Sequence, residues 1–146
     1  MAIAGSESRH DNYVFECDGA QVRAHYRHLA TVVHIRGDIN DANVGRISHH
    51  IRRFMLGENP LVLDVADVSQ FAEAAISLLY AFDADCRAAG VDWTLVASSA
   101  ATKLLEDTGH DASFPLMRSV HEALRDRADA IVVRRRMALG LVRKTS

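Results

Sequence analysis

The chain has 146 residues, 49% of them hydrophobic and 25% charged, with a formal net charge of -2 at pH 7. That length and balance describe one ordinary domain burying about two-thirds of its unfolded surface, so neither a disulfide framework nor a metal is needed for folding. The net charge excludes a strongly basic nucleic-acid binder, though not a local basic patch. Cys17 and Cys86 are far apart and outside any CxxC motif, which points to a reducing cytoplasm and away from structural zinc. No apolar run reaches the length of a membrane span, and the polar opening MAIAGSESRHDN carries no signal-peptide core. Fifteen of the seventeen basic residues are arginine, a usage often seen in GC-rich bacterial genomes. Seven basic and two acidic residues from Arg125 to Ser146 make that segment +5 and leave -7 for the rest.

Residues 1–11 are small, polar and aperiodic, the pattern of a disordered lead-in. Tyr13-Val14-Phe15, alternating Val22, Ala24 and Tyr26, and Thr31 to Ile35 read as three strands. Asp18-Gly19 makes a hairpin turn between the first two, and Gly37 ends the third. Val44, Ile47, Ile51 and Phe54 then form one apolar helical stripe, capped by Asn40 or Asp41 and stopped by Gly57 and Pro60. Leu61 to Val65 is a continuous apolar run of the kind parallel strands show when both faces are covered. A long helix is predicted from about Phe71 to Ala89, with Ile76, Leu79, Phe82 or Asp83, and Cys86 inward and Gly90 as its C-cap.

Trp93 to Ala97 is the next strand, and Ser98 or Ser99 caps a short helix that carries Leu104 and Leu105 and ends at Gly109. Phe114-Pro115-Leu116 is a brief extended piece, and Ser119-Val120-His121-Glu122 matches a capping box opening a last helix. This alternation implies right-handed βαβ units and an α/β sheet. It divides the chain into the lead-in 1–11, a domain over 12–128 and a basic extension over 129–146. Within the extension, the arginines 134–136 follow the apolar run 130–133, the pattern of a solvated charge run or of an electrostatic dock.

No enzymatic constellation stands out. The eight glycines are never clustered into a phosphate loop, and no GxSxG elbow occurs. Neither cysteine has a local motif that would lower a thiol pKa. His49 and His50 read as neighbours on a solvated helix face, since no HExxH pattern surrounds them. Asp64 and Asp67 bracket the end of a parallel strand, where α/β sites tend to sit, and read as capping aspartates of a strand-terminal turn. The sequence therefore describes a protein without catalytic residues, metal or cofactor.

Three pieces in order carry a family resemblance: Gly37-Asp38-Ile39-Asn40, Leu61-Val62-Leu63-Asp64-Val65-Ala66-Asp67-Val68, and Leu104-Leu105-Glu106-Asp107-Thr108-Gly109 through Phe114-Pro115. In that order and spacing, from about Ala20 to Arg127, the chain resembles a STAS domain. That is the fold of bacterial anti-anti-sigma factors and of the cytoplasmic tails of sulfate transporters. The first piece corresponds to a usual Gly-Glu-Leu-Asp, with Asn40 in place of a common aspartate, and the second to an LDLSGV strand. The resemblance implies a mainly parallel sheet with helices packed chiefly on one face.

In that family a serine within Asp-Ser-(Ser/Thr)-Gly, at the start of the helix after LDLSGV, is phosphorylated by a partner kinase that is also the anti-sigma factor. The corresponding positions here are Ala72-Glu73-Ala74-Ala75. Glu73 stands in the acceptor's place, so phosphate switching there is chemically impossible, and Ser69 and Ser77 only flank it. Two readings of Glu73 remain open. It is an acidic residue favourable in a first helical turn, or a permanent and partial imitation of phosphoserine, one negative charge against nearly two. The resemblance implies a non-enzymatic anti-sigma factor antagonist that binds a serine-kinase-type anti-sigma factor. Its recognition surface would be the loop 37–41, with Asp38 and Asn40, and the region 67–77, with Asp67, Ser69, Ala72, Glu73, Ala74, Ala75 and Ser77. Two alternatives stand beside it: a nucleotide or small-molecule sensor with its pocket in the same loops, and an accessory subunit of a transport or stress-sensing assembly docked by its basic tail. Neither a membrane nor direct nucleic-acid contact is expected. A homodimer through an edge containing Tyr13, Phe15 and the run 131–133 is a further option.

Overall fold

Asp18 and Gly19 both take positive φ, 41° and 94°, the conformation a two-residue hairpin loop needs to match strand twist. They join β1 (Asn12–Cys17) to β2 (Ala20–Tyr26), which pair antiparallel with Cys17 opposite Ala20. The computed structural model describes residues 12–128 except 28, 58, 72 and 127. The expected lead-in 1–11, the basic extension 129–146 and Ala72 lie outside the described residues.

β3 (Thr31–Asp38) adds to β2 antiparallel. β4 (Leu61–Gln70), β5 (Trp93–Val96) and β6 (Leu116–Met117) then add in turn, each parallel to its neighbour, so the six strands lie in chain order. The connections between parallel strands are helical: α1 (Val44–Ile51) with a 3-10 turn over Arg52–Gly57, α2 (Glu73–Ala89), and α3 (Ser99–Asp107) with a 3-10 turn over Asp111–Ser113. A last helix, α4, covers 120–126. The expected mainly parallel sheet is observed, with an antiparallel entry.

One face of the sheet carries the main core. Val22, Ala24, Val33, Ile35, Leu63 and Leu95 meet Ile47 and Ile51 of α1, Leu78, Leu79, Phe82 and Cys86 of α2, and Leu105 of α3. The other face holds a small cluster, Val32, Val62 and Val96 under Ala123, Val120 and Leu124 of α4. Helices therefore pack chiefly on one face, as the resemblance implied.

Several boundaries differ from the expectations. The apolar run expected to stop at Val65 continues as strand to Gln70, so Asp64 and Asp67 lie within a strand rather than capping a turn. β3 likewise passes Gly37, whose φ is +91°, and ends at Asp38. The N-cap of α1 is Asn43, while the Asn40 amide oxygen accepts from Ala42 N and Asn43 N at 2.9 and 3.1 Å. Phe54 stays on the inner stripe, but through a 3-10 turn that stacks residues three apart. Elsewhere the signals held. Gly90, at φ +70°, terminates α2 with Val91 N donating to Cys86 O. Ser98 Oγ caps α3 through Ala101 N, and Ser119 Oγ accepts from Glu122 N.

A Cβ on Gly37 would stand 2.2 Å from the Gly19 carbonyl oxygen, whereas one on Gly45 meets nothing within 4 Å. Gly37→Ala is expected to cost more than about 2 kcal/mol, from backbone strain and overlap with the hairpin turn. Gly45→Ala, in an exposed helical turn, should instead stabilise by up to about 1 kcal/mol. Urea unfolding of the two variants checks the opposite signs.

Candidate functional site

Parallel pairing places the ends of β3 and β4 side by side, with Asp38 opposite Gln70. The two segments singled out by the sequence, 37–41 and 67–77, therefore meet at one end of the sheet, where α/β folds gather their sites. Asn43, fully buried, shapes the first of them. Its Nδ2 donates to the carbonyls of Asp38 (2.8 Å), Asp18 (3.1 Å) and Cys17 (3.4 Å), and its Oδ1 accepts from Asn40 N at 2.9 Å. Asn40 turns its amide oxygen inward on the loop it belongs to, so it shapes the loop instead of projecting from it. Asp38 is half-buried with its carbonyl held by Asn43. Sequence reasoning passed over Asn43. The Asn-x-x-Asn spacing of 40 and 43, with a turn before a helix, was the available signal.

In the second segment, Ser69, Glu73 and Ser77 are exposed, and Glu73 opens α2. Glu73 and Ser77 are four apart and so share a helix face. Ala75 has no exposed surface and belongs to the main core, and half-buried Ala74 packs against it. Asp67 is exposed, but its carboxylate points to the opposite sheet face, where its Oδ2 lies 3.1 Å from His34 Nε2. Asp64 Oδ2 takes the other ring nitrogen of His34, Nδ1, at 2.9 Å. The hydrogen bond to Asp64 raises the His34 pKa above its ordinary value, aided by both negative charges and opposed by burial and Arg23. No sequence signal pointed to His34.

His50 departs from its expected solvated position. Its ring stacks on Phe15 at 3.7 Å and Tyr13 at 5.1 Å between centroids, and burial lowers its pKa. His49 is exposed. Among the described residues no three His, Cys, Asp or Glu side chains stand where they could hold a metal ion. No described helix is long and apolar enough to cross a membrane. A hollow of about 540 Å³ lies beside Gly37 and the Asp18-Gly19 turn. A larger groove, about 690 Å³, lies away from both loops, between α3 and the start of α4, with Lys103 and Arg118 among its walls.

The STAS domain family model matches residues 20–123. "Osmosensory protein A" of Mycobacterium tuberculosis (strain ATCC 25618 / H37Rv) is 52% identical over 143 residues, covering 95% of this chain and 90% of its own length. Two solved structures share the fold. An anti-sigma factor antagonist from Mycobacterium paratuberculosis matches with a TM-score of 0.67 at 22% identity, over 77% of this chain and 97% of its own. An anti-sigma-factor antagonist (STAS) domain protein from Planctomyces limnophilus matches with a TM-score of 0.60 at 20% identity, over 73% and 97%.

Both cysteines are buried, and burial pushes the Cys86 thiol up to about 12. Neither is a competent nucleophile in the folded chain, because the thiolate is the reactive species and must be reached. Treatment of the native protein with a thiol reagent at pH 8 is expected to label neither cysteine, and both should react in urea. Fast labelling of the native chain would contradict this packing.

Proposed function

The chain belongs to the STAS domain family, and on that premise we propose that it is a non-enzymatic regulatory module of the anti-sigma factor antagonist type. Its partner is an anti-sigma factor of the serine-kinase kind, bound in the cytoplasm through the loop 37–41 and the exposed residues Ser69, Glu73 and Ser77. The observation that carries this reading is Glu73. It occupies the position of the family's acceptor serine, is exposed at the first residue of α2, and makes no hydrogen bond or ion pair among the described residues. A free carboxylate beside a helix N-terminus is a standing negative charge available to a partner. It supplies part of what a phosphate would and cannot be removed by a phosphatase. The module is thus held toward one state, with its activity governed by something other than phosphate on this helix.

A second reading is favoured by the name of the 52% identical relative, an osmosensory protein. In that reading the same surface joins a stress-sensing assembly whose input is osmotic. Recovery of partners from cells grown at low and high osmolarity separates the two: an anti-sigma factor in both conditions supports the first, and a partner exchanged with osmolarity supports the second.

Incubation with a serine-kinase anti-sigma factor is expected to leave the segment 67–77 free of phosphate, which phosphopeptide mapping would check. Glu73→Ser should then tighten binding to that kinase by about tenfold, equivalent to about 1.4 kcal/mol. Unchanged affinity, with a stability loss of a few tenths to about 1 kcal/mol, would reduce Glu73 to a helix-start residue.

A further inference from the structure

Asp64 and Asp67 are three residues apart on one strand, and residues so spaced on a regular strand face opposite sides of the sheet. Here both carboxylates reach the same imidazole. The reason is an irregularity in β4. His34 lies opposite Asp64 and Arg36 opposite Asp67, so two steps along β3 match three along β4. The extra residue turns Asp67 to the side of Asp64, a bulge of a kind rare between parallel strands. Val65 and Val68, on either side, still enter the main core, and Ala66 packs on the small cluster of the other face. Asp64 secures the bulge a second time, its Oδ1 accepting from Ala66 N at 3.0 Å.

A neutral imidazole carries one N–H and one lone pair, so it can donate to only one of two flanking carboxylates. Both contacts are donor to acceptor only when the ring is an imidazolium. We propose that His34 is a proton-operated latch on the recognition segment: protonated, it ties Asp64 to Asp67 across the bulge, and on losing its proton it releases residues 66–70. Those residues run directly into Glu73 and pair, through Gln70, with Asp38.

The charged surroundings of the ring are mixed. Asp64 and Asp67 on β4 favour its charge, while Arg23, opposite on β2, and burial disfavour it. His25 on β2 also senses its charge, and Arg36 lies two residues along its own strand. From α4, Val120, Ala123 and Leu124 pack on this face, and His121 and Arg125 line a hollow beside Leu29. Because the folded value is raised above 6.5, the latch is closed in mild acid and opens as pH rises through that higher value.

The latch concerns the conformation of β4; its bearing on partner binding rests on the surface described under Proposed function. In the full chain, NMR titration of His34, assigned with His34→Gln, should give a midpoint above 6.5. Amide exchange at 66–70, corrected for intrinsic rates, should quicken severalfold across that midpoint. Asp67→Asn should lower the midpoint and speed exchange at low pH, while His34→Gln should make exchange fast and insensitive to pH. A midpoint at or below 6.5, or pH-independent exchange in the unsubstituted chain, would overturn the latch. If the latch titrates as expected but anti-sigma factor affinity is equal at pH 6 and pH 8.5, the latch stands and 67–70 is removed from the partner surface.

Discussion

The side-chain amide of Asn43 gathers three pieces of backbone that no regular hydrogen-bond ladder would join. Its two N–H hydrogens are shared among carbonyls from the end of β1, the hairpin turn and the end of β3. Cys17 is buried, and a buried carbonyl without a donor is costly. The contact therefore fixes how the antiparallel hairpin leans on the first parallel strand. It also sets where α1 begins, since Asn43 is the residue before that helix. Asp38 N donates to Gly19 O at 3.1 Å across the same junction, an approach open only because residue 37 has no side chain. The loop 37–41 inherits its shape from this knot.

From the knot onward, the geometry of the site follows from a mismatch in strand length. β3 has 8 residues and β4 has 10, yet they pair along their whole length. The difference is absorbed by two irregularities in β4, one between the partners of His34 and Arg36 and one between those of Gly37 and Asp38. Each extra residue reverses the side a side chain faces. The first brings Asp67 to His34, and the second delivers β4 beside Asp38. A strand in perfect register would place neither.

The helix that follows divides its opening two turns between two tasks. Ala75 is sealed into the core, while Glu73 and Ser77 face outward. Alanine at 75 favours the helical backbone by roughly 1 kcal/mol over glycine. The start of this helix thus joins a packed alanine to a charge presented to solvent.

What the sequence determined by itself was the existence and type of most elements, which depend on local period and turn chemistry. The alternation around Asp18-Gly19, the stripe Val44, Ile47, Ile51, the covered run from Leu61 and the caps at Ser98, Ser119 and Gly90 were all legible, because each is written within a few neighbouring residues. The order of three short motifs was enough to identify the family. Tertiary structure decided the rest. His34 is 30 or more residues from Asp64 and Asp67, on a different strand, and the bulge that unites them leaves no periodic trace. Asn43 looked like one more loop amide until three distant carbonyls converged on it. His50 seemed solvated because helix spacing alone cannot see the two aromatic rings that β1 lays over it. Local chemistry chooses the elements, but long-range register chooses which polar groups meet, and meeting is what sets their charge and their role.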